Sequence, residues 1–388
     1  MQHDVATLDG GGSNGAGNTG GESSHLRPVT ERWVQQGLRS ALIRRPEIRM
    51  VPGSLRMEGR RLAFAISDNE GAHGPDGPGT PPVWAVNLHG YLAGGWLYAR
   101  ESARLAERFG WRLVNPSLPG FGGSDPLPWP SVSIEAMAEA VEAVLRHVDA
   151  GPVVLIGHSM GGAIAVQHAA SWPDEALGII YRAGVATPSW QRRRGVVARV
   201  MAPILPDLAD GIDLLSAVAL DTPDLLVGRL YSTIRSVLPE FRTNLRHLGQ
   251  MLPVGNMLML VDLSGRVREL SEAGVPVLAE WGCFDRVVPP EAAAEFSRLA
   301  GTPVHWVPGG HSWMVARPQG QADLLSYMDW GVEFRGKVDQ RWSEWTAFGD
   351  PRTAGPALRP AHRGREASAA RSGLGKQQRS GGQTEPAA

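Results

Sequence analysis

A serine with a glycine two positions to either side lies between a predicted strand and a predicted helix. The apolar run at residues 152–156 is typical of a buried strand, and the alanine-rich residues 163–170 are typical of a helix. Ser159 lies between them, with Gly157 before it and Gly161 after it. Such a sharp turn strains the serine backbone and leaves little room for neighbouring side chains. The pattern predicts a nucleophile elbow, which lifts the hydroxyl clear of the sheet and aims free helix N–H groups at what it attacks.

Two residues with acid–base chemistry follow two further predicted strands. Asp285 lies just past the strand at residues 275–281, and His311 lies just past the strand at residues 303–308. A serine hydroxyl is a weak nucleophile, so it needs a histidine to take its proton and a carboxylate to orient that histidine. The order Ser159, Asp285, His311 therefore predicts a catalytic triad.

Other interpretations of these residues stay open at this point. Asp285 is also compatible with a loop aspartate, and His311 with a packed surface histidine. Asp262, which precedes a predicted helix, is the alternative acid. We interpret His89 and His158 as structural, because a single base suffices for this chemistry.

Four motifs together resemble those of the α/β-hydrolase family. The resemblance covers roughly residues 89–330, and the motifs are His89-Gly90-Tyr91, the segment 119–125, the elbow at Ser159, and the pair Asp285 and His311. The resemblance implies an α/β fold, a mostly parallel central sheet with helices on both faces, plus an inserted helical cap. It also implies an oxyanion hole formed by the backbone N–H groups of Tyr91 and of Met160, which directly follows the nucleophile.

Two positions relate the sequence to particular branches of this family. Asn115 stands where many members have aspartate before the Pro-Gly-Phe-Gly segment, at a position that the resemblance implies is structural. Ser159 stands where haloalkane dehalogenases and epoxide hydrolases have an aspartate nucleophile. The resemblance therefore implies the serine-nucleophile branch.

Composition divides the chain into five segments. Residues 1–28 and 349–388 have little apolar content, so we expect a disordered N-terminal tail and a disordered, basic C-terminal tail. Residues 29–187 and 262–348 alternate predicted strands and helices, which is typical of an α/β core. Residues 188–261 are rich in Leu, Met and Val and contain helical patterns without a convincing strand, so we expect a helical cap. We expect most of its apolar residues to pack on the core and a minority to line an apolar pocket.

Turn residues and apolar spacing predict further local elements. Strand-like pieces at residues 47–51 and 61–66 are accompanied by Pro52-Gly53 and Glu58-Gly59, which predict turns. Towards the other end of the core, the spacing of apolar residues predicts one helix over residues 319–332.

Charge and cysteine content limit the expected partners and compartment. The formal net charge of −1 provides no field that favours nucleic acid, and we interpret the basic C-terminal tail as solvated. Cys283 is the single cysteine, which excludes an internal disulfide. The chain lacks a basic start followed by an apolar run, and no apolar run approaches ~18 residues. We therefore expect a cytoplasmic protein with no stable membrane insertion.

These features predict a serine hydrolase that cleaves a carboxylic ester or a similar acyl bond through an acyl-enzyme on Ser159. The expected partner is a small molecule with an apolar acyl group, and the chemistry requires neither a metal nor an organic cofactor. Three alternatives stay open: hydrolysis of a carbon–carbon bond next to a carbonyl, cofactor-free peroxidation, and a ligand-binding receptor that retains the triad. Acyl length, leaving group and oligomeric state stay open as well.

Overall fold

An eight-stranded sheet forms the centre of the described chain. The computed structural model describes residues 47–192, 242–244 and 248–348. Its strands are β1 (Met50–Met57), β2 (Arg60–Ser67), β3 (Trp84–Leu88), β4 (Arg112–Pro116), β5 (Val153–His158), β6 (Ala176–Arg182), β7 (Val277–Gly282) and β8 (Val304–Val307). They lie in the order β1-β2-β4-β3-β5-β6-β7-β8. The β1/β2 and β2/β4 pairs are antiparallel, and all pairs among β3 to β8 are parallel.

The central strands are buried on both faces, which explains why their sequences are continuous apolar runs. Every residue of β3, β5 and β6 is buried. Within β5, Val153 and Leu155 belong to the core on one face of the sheet, whereas Val154 and Ile156 belong to the core on the other. The apolar run before the elbow is therefore a central strand, as predicted.

Helices cover both faces of the sheet. Within the described residues they are α1 (Ala99–Phe109), α2 (Ile134–His147), α3 (Met160–Ser171), α4 (Leu248–Leu260), α5 (Ser264–Glu272), α6 (Pro290–Ala300), α7 (Trp313–Ala316), α8 (Gly320–Tyr327) and α9 (Asp329–Phe348). Helices α2, α3, α5 and α6 bury residues such as Ile164 and Phe296 in one core. Helices α1, α8 and α9 bury residues such as Leu105 and Trp342 in the other. The predicted fold class is confirmed.

Local sequence signals explain two of the helix boundaries. The side chain of Ser133 accepts a hydrogen bond from the N–H of Ala136 at 3.1 Å and thereby caps the start of α2. Gly110 follows α1 with a φ of 68°, the left-handed conformation that commonly ends a helix. Because both signals lie within a few residues of the boundary, the sequence predicts these ends within one or two residues.

The prediction of a turn at Pro52-Gly53 is wrong, because both residues lie inside β1. Pro52 pairs with Ala65 of β2, and Gly53 pairs with Phe64. β1 is an edge strand, where proline is tolerated because its missing N–H faces away from the sheet. A Cβ atom on Gly53 would overlap the Phe64 ring, so this glycine makes room for an aromatic side chain. The turn lies at Glu58-Gly59, as predicted.

The prediction of one helix at residues 319–332 is also wrong. The chain leaves α8 at Met328, whose ψ of 135° is extended, and starts α9 at the next residue. A Cβ atom on Gly331 would overlap the carbonyl oxygen of Leu324, so the start of α9 packs closely against α8. Apolar residues continue across the break, and their spacing therefore does not reveal it.

Part of the sequence-based division lies outside the described residues. This holds for residues 32–42, whose apolar spacing predicts a short amphipathic helix, for the two predicted tails and for most of the predicted cap, all of which stay predictions. The described parts of the 188–261 segment are the 3₁₀ turn Pro188–Arg192, residues 242–244 and α4. Across the ranges that are described, no helix is both long and apolar enough to cross a membrane.

Candidate active site

Ser159 occupies a strained turn between β5 and α3. Its φ of 54° and ψ of −117° lie outside the usual regions for a residue with a side chain, at a cost on the order of 1–3 kcal/mol. Its N–H donates to the carbonyl oxygen of Arg182 at 3.0 Å, and its own carbonyl oxygen accepts from the N–H of Gly162 at 2.9 Å. These backbone hydrogen bonds hold the strained turn directly after the carboxyl end of β5.

Three glycines of the elbow are required by close contacts with neighbouring backbone. A Cβ atom on Gly157 would overlap the carbonyl oxygen of Gly161, and one on Gly161 would overlap the carbonyl oxygen of Leu88 in β3. A Cβ atom on Gly162 would lie 2.8 Å from the Cα of Gly184. The glycines therefore allow α3 to start unusually close to the sheet.

The elbow lies where the strand order of the sheet reverses. The chain runs from β3 to β4 on one side and then returns to β5 on the other, so the carboxyl ends of β3 and β5 flank a crevice. Leu88 pairs with Gly157, and a Cβ atom on Gly90 would lie 3.3 Å from the Cβ of Ser159. Ligands of open α/β sheets bind in such crevices.

Asp285 and His311 form a hydrogen-bonded pair. The Oδ2 atom of Asp285 lies 2.8 Å from Nδ1 of His311, and the two side chains are 2% and 5% exposed. The Oδ1 atom of Asp285 accepts from the N–H groups of Val287 and Val288 at 2.8 and 2.9 Å. The carboxylate is thus fixed to accept a proton from Nδ1, which leaves Nε2 as the basic nitrogen of a neutral imidazole.

The loops that carry these two residues are joined through their backbones. We call residues 283–288, after β7, the acid loop and residues 308–312, after β8, the His loop. The N–H of Phe284 in the acid loop donates to the carbonyl oxygen of Gly309 in the His loop at 3.0 Å. The carboxylate and the imidazole are therefore held side by side at the ends of adjacent strands.

His158 links the elbow to the His loop. Its Nε2 atom lies 3.0 Å from the carbonyl oxygen of His311, and the centroids of the two imidazole rings are 4.6 Å apart. Its Nδ1 atom lies 2.6 Å from the hydroxyl oxygen of Tyr98. Burial keeps the pKa of His158 well below its ordinary value, and the nearby His311 and Arg182 lower it further. Because His158 directly precedes Ser159, these contacts place the elbow next to the His loop.

Tyr91 and Met160 lie on the two segments next to the elbow serine. Met160 is buried and is the first residue of α3, where backbone N–H groups have no partner within the helix. Tyr91 belongs to residues 89–92, which we call the oxyanion loop after the role predicted for the Tyr91 N–H. Its hydroxyl donates to the carbonyl oxygen of Met251, and its ring contacts the edge of Phe121 at a centroid distance of 5.9 Å. These contacts anchor the Tyr91 side chain, and the oxyanion prediction concerns its backbone N–H.

His89 connects two of the sequence motifs. Its Nε2 atom accepts from the N–H of Leu118 at 2.9 Å, and its Nδ1–H donates to the carbonyl oxygen of Gly90 at 2.8 Å. Burial lowers the pKa of His89 to about 4, so the ring stays neutral at physiological pH. His89 therefore ties the oxyanion loop to Leu118, the residue directly before the 119–125 segment.

Asp262, the alternative acid, is exposed. Its Oδ1 atom accepts from the N–H of Ser264 at 3.0 Å, which stabilises the start of α5. The imidazole of His311 is paired with Asp285 instead. The geometry favours Asp285 as the acid.

The described end of the 188–261 segment packs on the loops of the site. The Nδ2 atom of Asn244 donates to the carbonyl oxygen of Leu92 at 2.7 Å, and its Oδ1 accepts from the N–H of Gly122 at 3.0 Å. Helix α4 also receives the hydrogen bond from the Tyr91 hydroxyl. The segment therefore contacts both the oxyanion loop and the 119–125 loop.

Within the part of the chain that the structure covers, no group of three or more His, Cys, Asp or Glu side chains is arranged to hold a metal ion.

Comparison with known proteins identifies the family. Residues 85–315 match the family model described as the alpha/beta hydrolase fold. The chain belongs to the α/β hydrolase fold family. This membership supports a hydrolase enzyme that acts on a small molecule.

Several α/β hydrolases of different chemistry are similar to this chain. It is 26% identical over 260 residues to a putative non-heme haloperoxidase of Mycobacterium phage D29, which covers 64% of this chain and 87% of that protein. It is 26% identical over 255 residues to a 2-hydroxy-6-oxononadienedioate/2-hydroxy-6-oxononatrienedioate hydrolase of Klebsiella pneumoniae, which covers 64% of this chain and 83% of that protein. A solved structure of a thermophilic esterase from Thermogutta terrifontis has a TM-score of 0.50 at 21% identity and covers 75% of this chain and 99% of that one. At this identity, the similarity to the esterase shows that the two proteins share a fold and nothing more.

Sequence reasoning missed a buried ionic cluster behind the elbow of this α/β hydrolase. Arg182, at the end of β6, lies with Nη1 2.8 Å from Oε1 of Glu101 and with Nε 3.5 Å from Oε2 of Glu280. Gln321 donates to Oε1 of Glu280 at 3.0 Å. Burial raises the pKa of Glu280 to about 7. The four residues come from β6, α1, β7 and α8. The signal in the sequence that could have revealed this cluster is a charged residue inside each of two apolar strands, Arg182 in β6 and Glu280 in β7.

Asn115, where the resemblance pointed to aspartate, lies in a buried hydrogen-bond network. Its Oδ1 accepts from the Ser102 hydroxyl at 2.8 Å, and its Nδ2 donates to the carbonyl oxygen of Gly95 at 3.1 Å. An amide supplies both the donor and the acceptor here, whereas an ionised aspartate only accepts. The position is structural in this α/β hydrolase.

Proposed function

We propose that this protein is a serine hydrolase that cleaves a carboxylic ester or a similar acyl bond. Ser159 is the nucleophile, His311 the base, and Asp285 the residue that orients the base. The observation that carries the proposal is the 2.8 Å hydrogen bond between Nδ1 of His311 and Oδ2 of Asp285. The strained turn at Ser159 and the contact of His158 with the His loop support it.

In the first half-reaction, the Ser159 hydroxyl attacks the substrate carbonyl carbon while Nε2 of His311 takes its proton. The negative charge on the carbonyl oxygen is stabilised by the N–H groups of Tyr91 and Met160. Collapse of the tetrahedral intermediate breaks the bond to the leaving group, which takes the proton from His311. Asp285 stabilises the imidazolium throughout.

In the second half-reaction, water attacks the acyl-enzyme. His311 takes a proton from the water and returns it to the Ser159 oxygen as the acid product leaves. The site is thereby regenerated. The cycle consumes one water per acyl bond, and the side chains and backbone N–H groups of the site supply the whole chemistry.

We further propose that residues 188–261 form a cap that selects the acyl group. The segment is rich in Leu, Met and Val, which favours an apolar substrate. Asn244 contacts the oxyanion loop, and α4 buries Met251 and Leu258 in the core. This attachment to the site supports a cap that contacts the substrate without taking part in bond cleavage.

The test combines a fluorophosphonate probe with p-nitrophenyl esters of increasing acyl length. We expect the probe to label Ser159, as located by mass spectrometry, and the esters to give a product burst followed by many turnovers. Ser159→Ala is expected to abolish labelling and turnover, because alanine has no hydroxyl to attack. Hydrolysis by a folded Ser159→Ala protein would refute the nucleophile assignment.

Ser297→Ala is the matched control for this test. The Ser297 hydroxyl donates to the carbonyl oxygen of Thr302 at 2.6 Å at the end of α6. The substitution removes one half-buried hydroxyl from the same domain, and we expect labelling and turnover to stay at the wild-type level. Circular dichroism verifies that both variants are folded.

The names of two relatives point to other reactions for the same geometry. One is named a haloperoxidase and the other a hydrolase of a dienedioate. Halide oxidation with acetate and hydrogen peroxide, and cleavage of a 2-hydroxy-6-oxo-diene dioate, are therefore assayed beside the esters. Faster turnover in either assay than with every ester would select that alternative. A single slow turnover with all substrates would select a receptor.

A further inference from the structure

The hydroxyl of Tyr98 contacts two of the segments that form the candidate site. Tyr98 closes the 3₁₀ turn Gly95–Tyr98 before α1 and is 2% exposed. Its oxygen lies 2.6 Å from Nδ1 of His158 in the elbow and 3.4 Å from the backbone nitrogen of Gly90 in the oxyanion loop. His158 in turn contacts a third segment, the His loop, through the carbonyl oxygen of His311.

The hydrogen bonds of His158 determine which of its nitrogens carries the proton. A carbonyl oxygen only accepts, so Nε2 carries a hydrogen and donates to the carbonyl oxygen of His311 at 3.0 Å. Nδ1 is then the acceptor of the neutral ring, and the Tyr98 hydroxyl donates to it. Burial, with His311 and Arg182 nearby, holds the pKa of His158 well below its ordinary value, so the ring keeps this neutral form.

We propose that Tyr98 is a positioning residue that, through His158, holds the elbow, the oxyanion loop and the His loop at the spacing the reaction needs. The proposal rests on the serine hydrolase function proposed above. Tight packing supports it, because a Cβ atom on Gly90 would lie 3.0 Å from Nδ1 of His158. The oxyanion loop, the imidazole and the His loop backbone thus form one stack that the Tyr98 hydroxyl completes.

Removal of the Tyr98 hydroxyl takes away the donor to Nδ1 of His158 and leaves this buried nitrogen without that hydrogen bond. Nε2 still donates to the carbonyl oxygen of His311, but the ring is then held at one nitrogen only and is free to tilt. The His loop shifts relative to Ser159, and a misplacement of about 1 Å costs on the order of 100-fold in rate. The loss falls on kcat rather than KM, because Tyr98 acts through His158 and not on the substrate.

The first test is Tyr98→Phe, which removes the hydroxyl and keeps the ring. We expect kcat for p-nitrophenyl esters and the second-order rate of fluorophosphonate labelling to fall by about 10- to 100-fold, with KM changed by less than about threefold. Tyr327→Phe is the matched control, because the Tyr327 hydroxyl contacts Arg108 on the surface. It is expected to behave like the wild type. A wild-type labelling rate in Tyr98→Phe overturns the proposal.

The second test is a double-mutant cycle with His158→Gln. Glutamine has no imidazole nitrogen for the Tyr98 hydroxyl to hold, so Tyr98→Phe in this background should cost less than about threefold. Effects of the two substitutions that simply multiply would overturn the proposal. Hydrogen exchange adds a readout that needs no catalysis: Tyr98→Phe is expected to raise exchange in peptides that cover the His loop. Unchanged exchange there also counts against the proposal.

The outcomes separate this proposal from the function on which it rests. A wild-type protein that the fluorophosphonate does not label, or a Ser159→Ala protein that turns over esters, overturns the serine hydrolase function and this proposal with it. A labelled wild type with an unaffected Tyr98→Phe variant overturns the positioning role alone.

Discussion

Asp285 approaches His311 with only one of its two carboxylate oxygens. Oδ2 lies 2.8 Å from Nδ1 of His311, while Oδ1 accepts from the N–H groups of Val287 and Val288. Two backbone donors therefore prevent the carboxylate from rotating so that its two oxygens exchange places. An asparagine in this place would keep its amide oxygen on the backbone N–H groups and present its amide nitrogen to the imidazole.

Asp285→Asn is accordingly expected to leave the fold intact and to lower kcat by roughly 10²- to 10⁴-fold. An amide N–H facing Nδ1 favours the tautomer with the proton on Nε2, which cannot accept a proton from Ser159. Steady-state ester hydrolysis and the fluorophosphonate labelling rate measure the loss. Asp262→Asn makes the same change at an exposed residue and is expected to retain activity. Wild-type activity in Asp285→Asn would mean that another acid orients His311.

Gly161→Ala is expected to prevent formation of the elbow. A methyl group on Gly161 would overlap the carbonyl oxygen of Leu88 in β3, and the atoms nearest to it are all backbone atoms of Leu88 and His89, which cannot rotate away as a side chain could. We expect a loss of more than about 3 kcal/mol in the free energy of unfolding, or no folded protein. Gly336→Ala is the control, because a Cβ atom on exposed Gly336 in α9 meets nothing within 4 Å. That substitution should stabilise the helix by about 0.5–1 kcal/mol, and urea unfolding measures both.

Glu280 makes the free energy of unfolding depend on pH. Burial raises its pKa from the ordinary 4.5 to about 7, although Arg182 and Gln321 act in the opposite direction. Between these two values the folded protein holds a proton that the unfolded chain has released. The contribution of Glu280 therefore falls as pH rises from about 4.5 to about 7 and stays constant above that range.

Glu280→Gln is expected to remove this dependence, because the amide is uncharged at every pH. Relative to the wild type, the variant should gain stability between pH 5 and pH 8, by up to about 3 kcal/mol. Urea unfolding at several pH values measures the difference, with Glu272→Gln as the same change at an exposed position. Parallel curves for the wild type and Glu280→Gln would contradict the prediction.

The elbow shows why part of the candidate site could be predicted from the sequence. The strand, Ser159 and its glycines lie within a few positions of one another. Each glycine is needed because such a turn brings neighbouring backbone too close for a Cβ atom. Asp285 and His311 were found in the same way, because each follows a short apolar strand. In contrast, the turn prediction at Gly53 is wrong, since the Phe64 ring that this glycine accommodates lies on another strand.

The sequence by itself determined the type and order of the central strands, the strained turn at Ser159, and the order of the three proposed catalytic residues. Apolar spacing and turn chemistry act over a few residues, so they can be seen in the sequence without knowledge of the fold. The tertiary structure alone decided which partners meet. Tyr98 and His158 are 60 residues apart, and Arg182 meets Glu101 and Glu280 from two other elements. Such contacts depend on how the sheet and helices pack, and no local pattern encodes them.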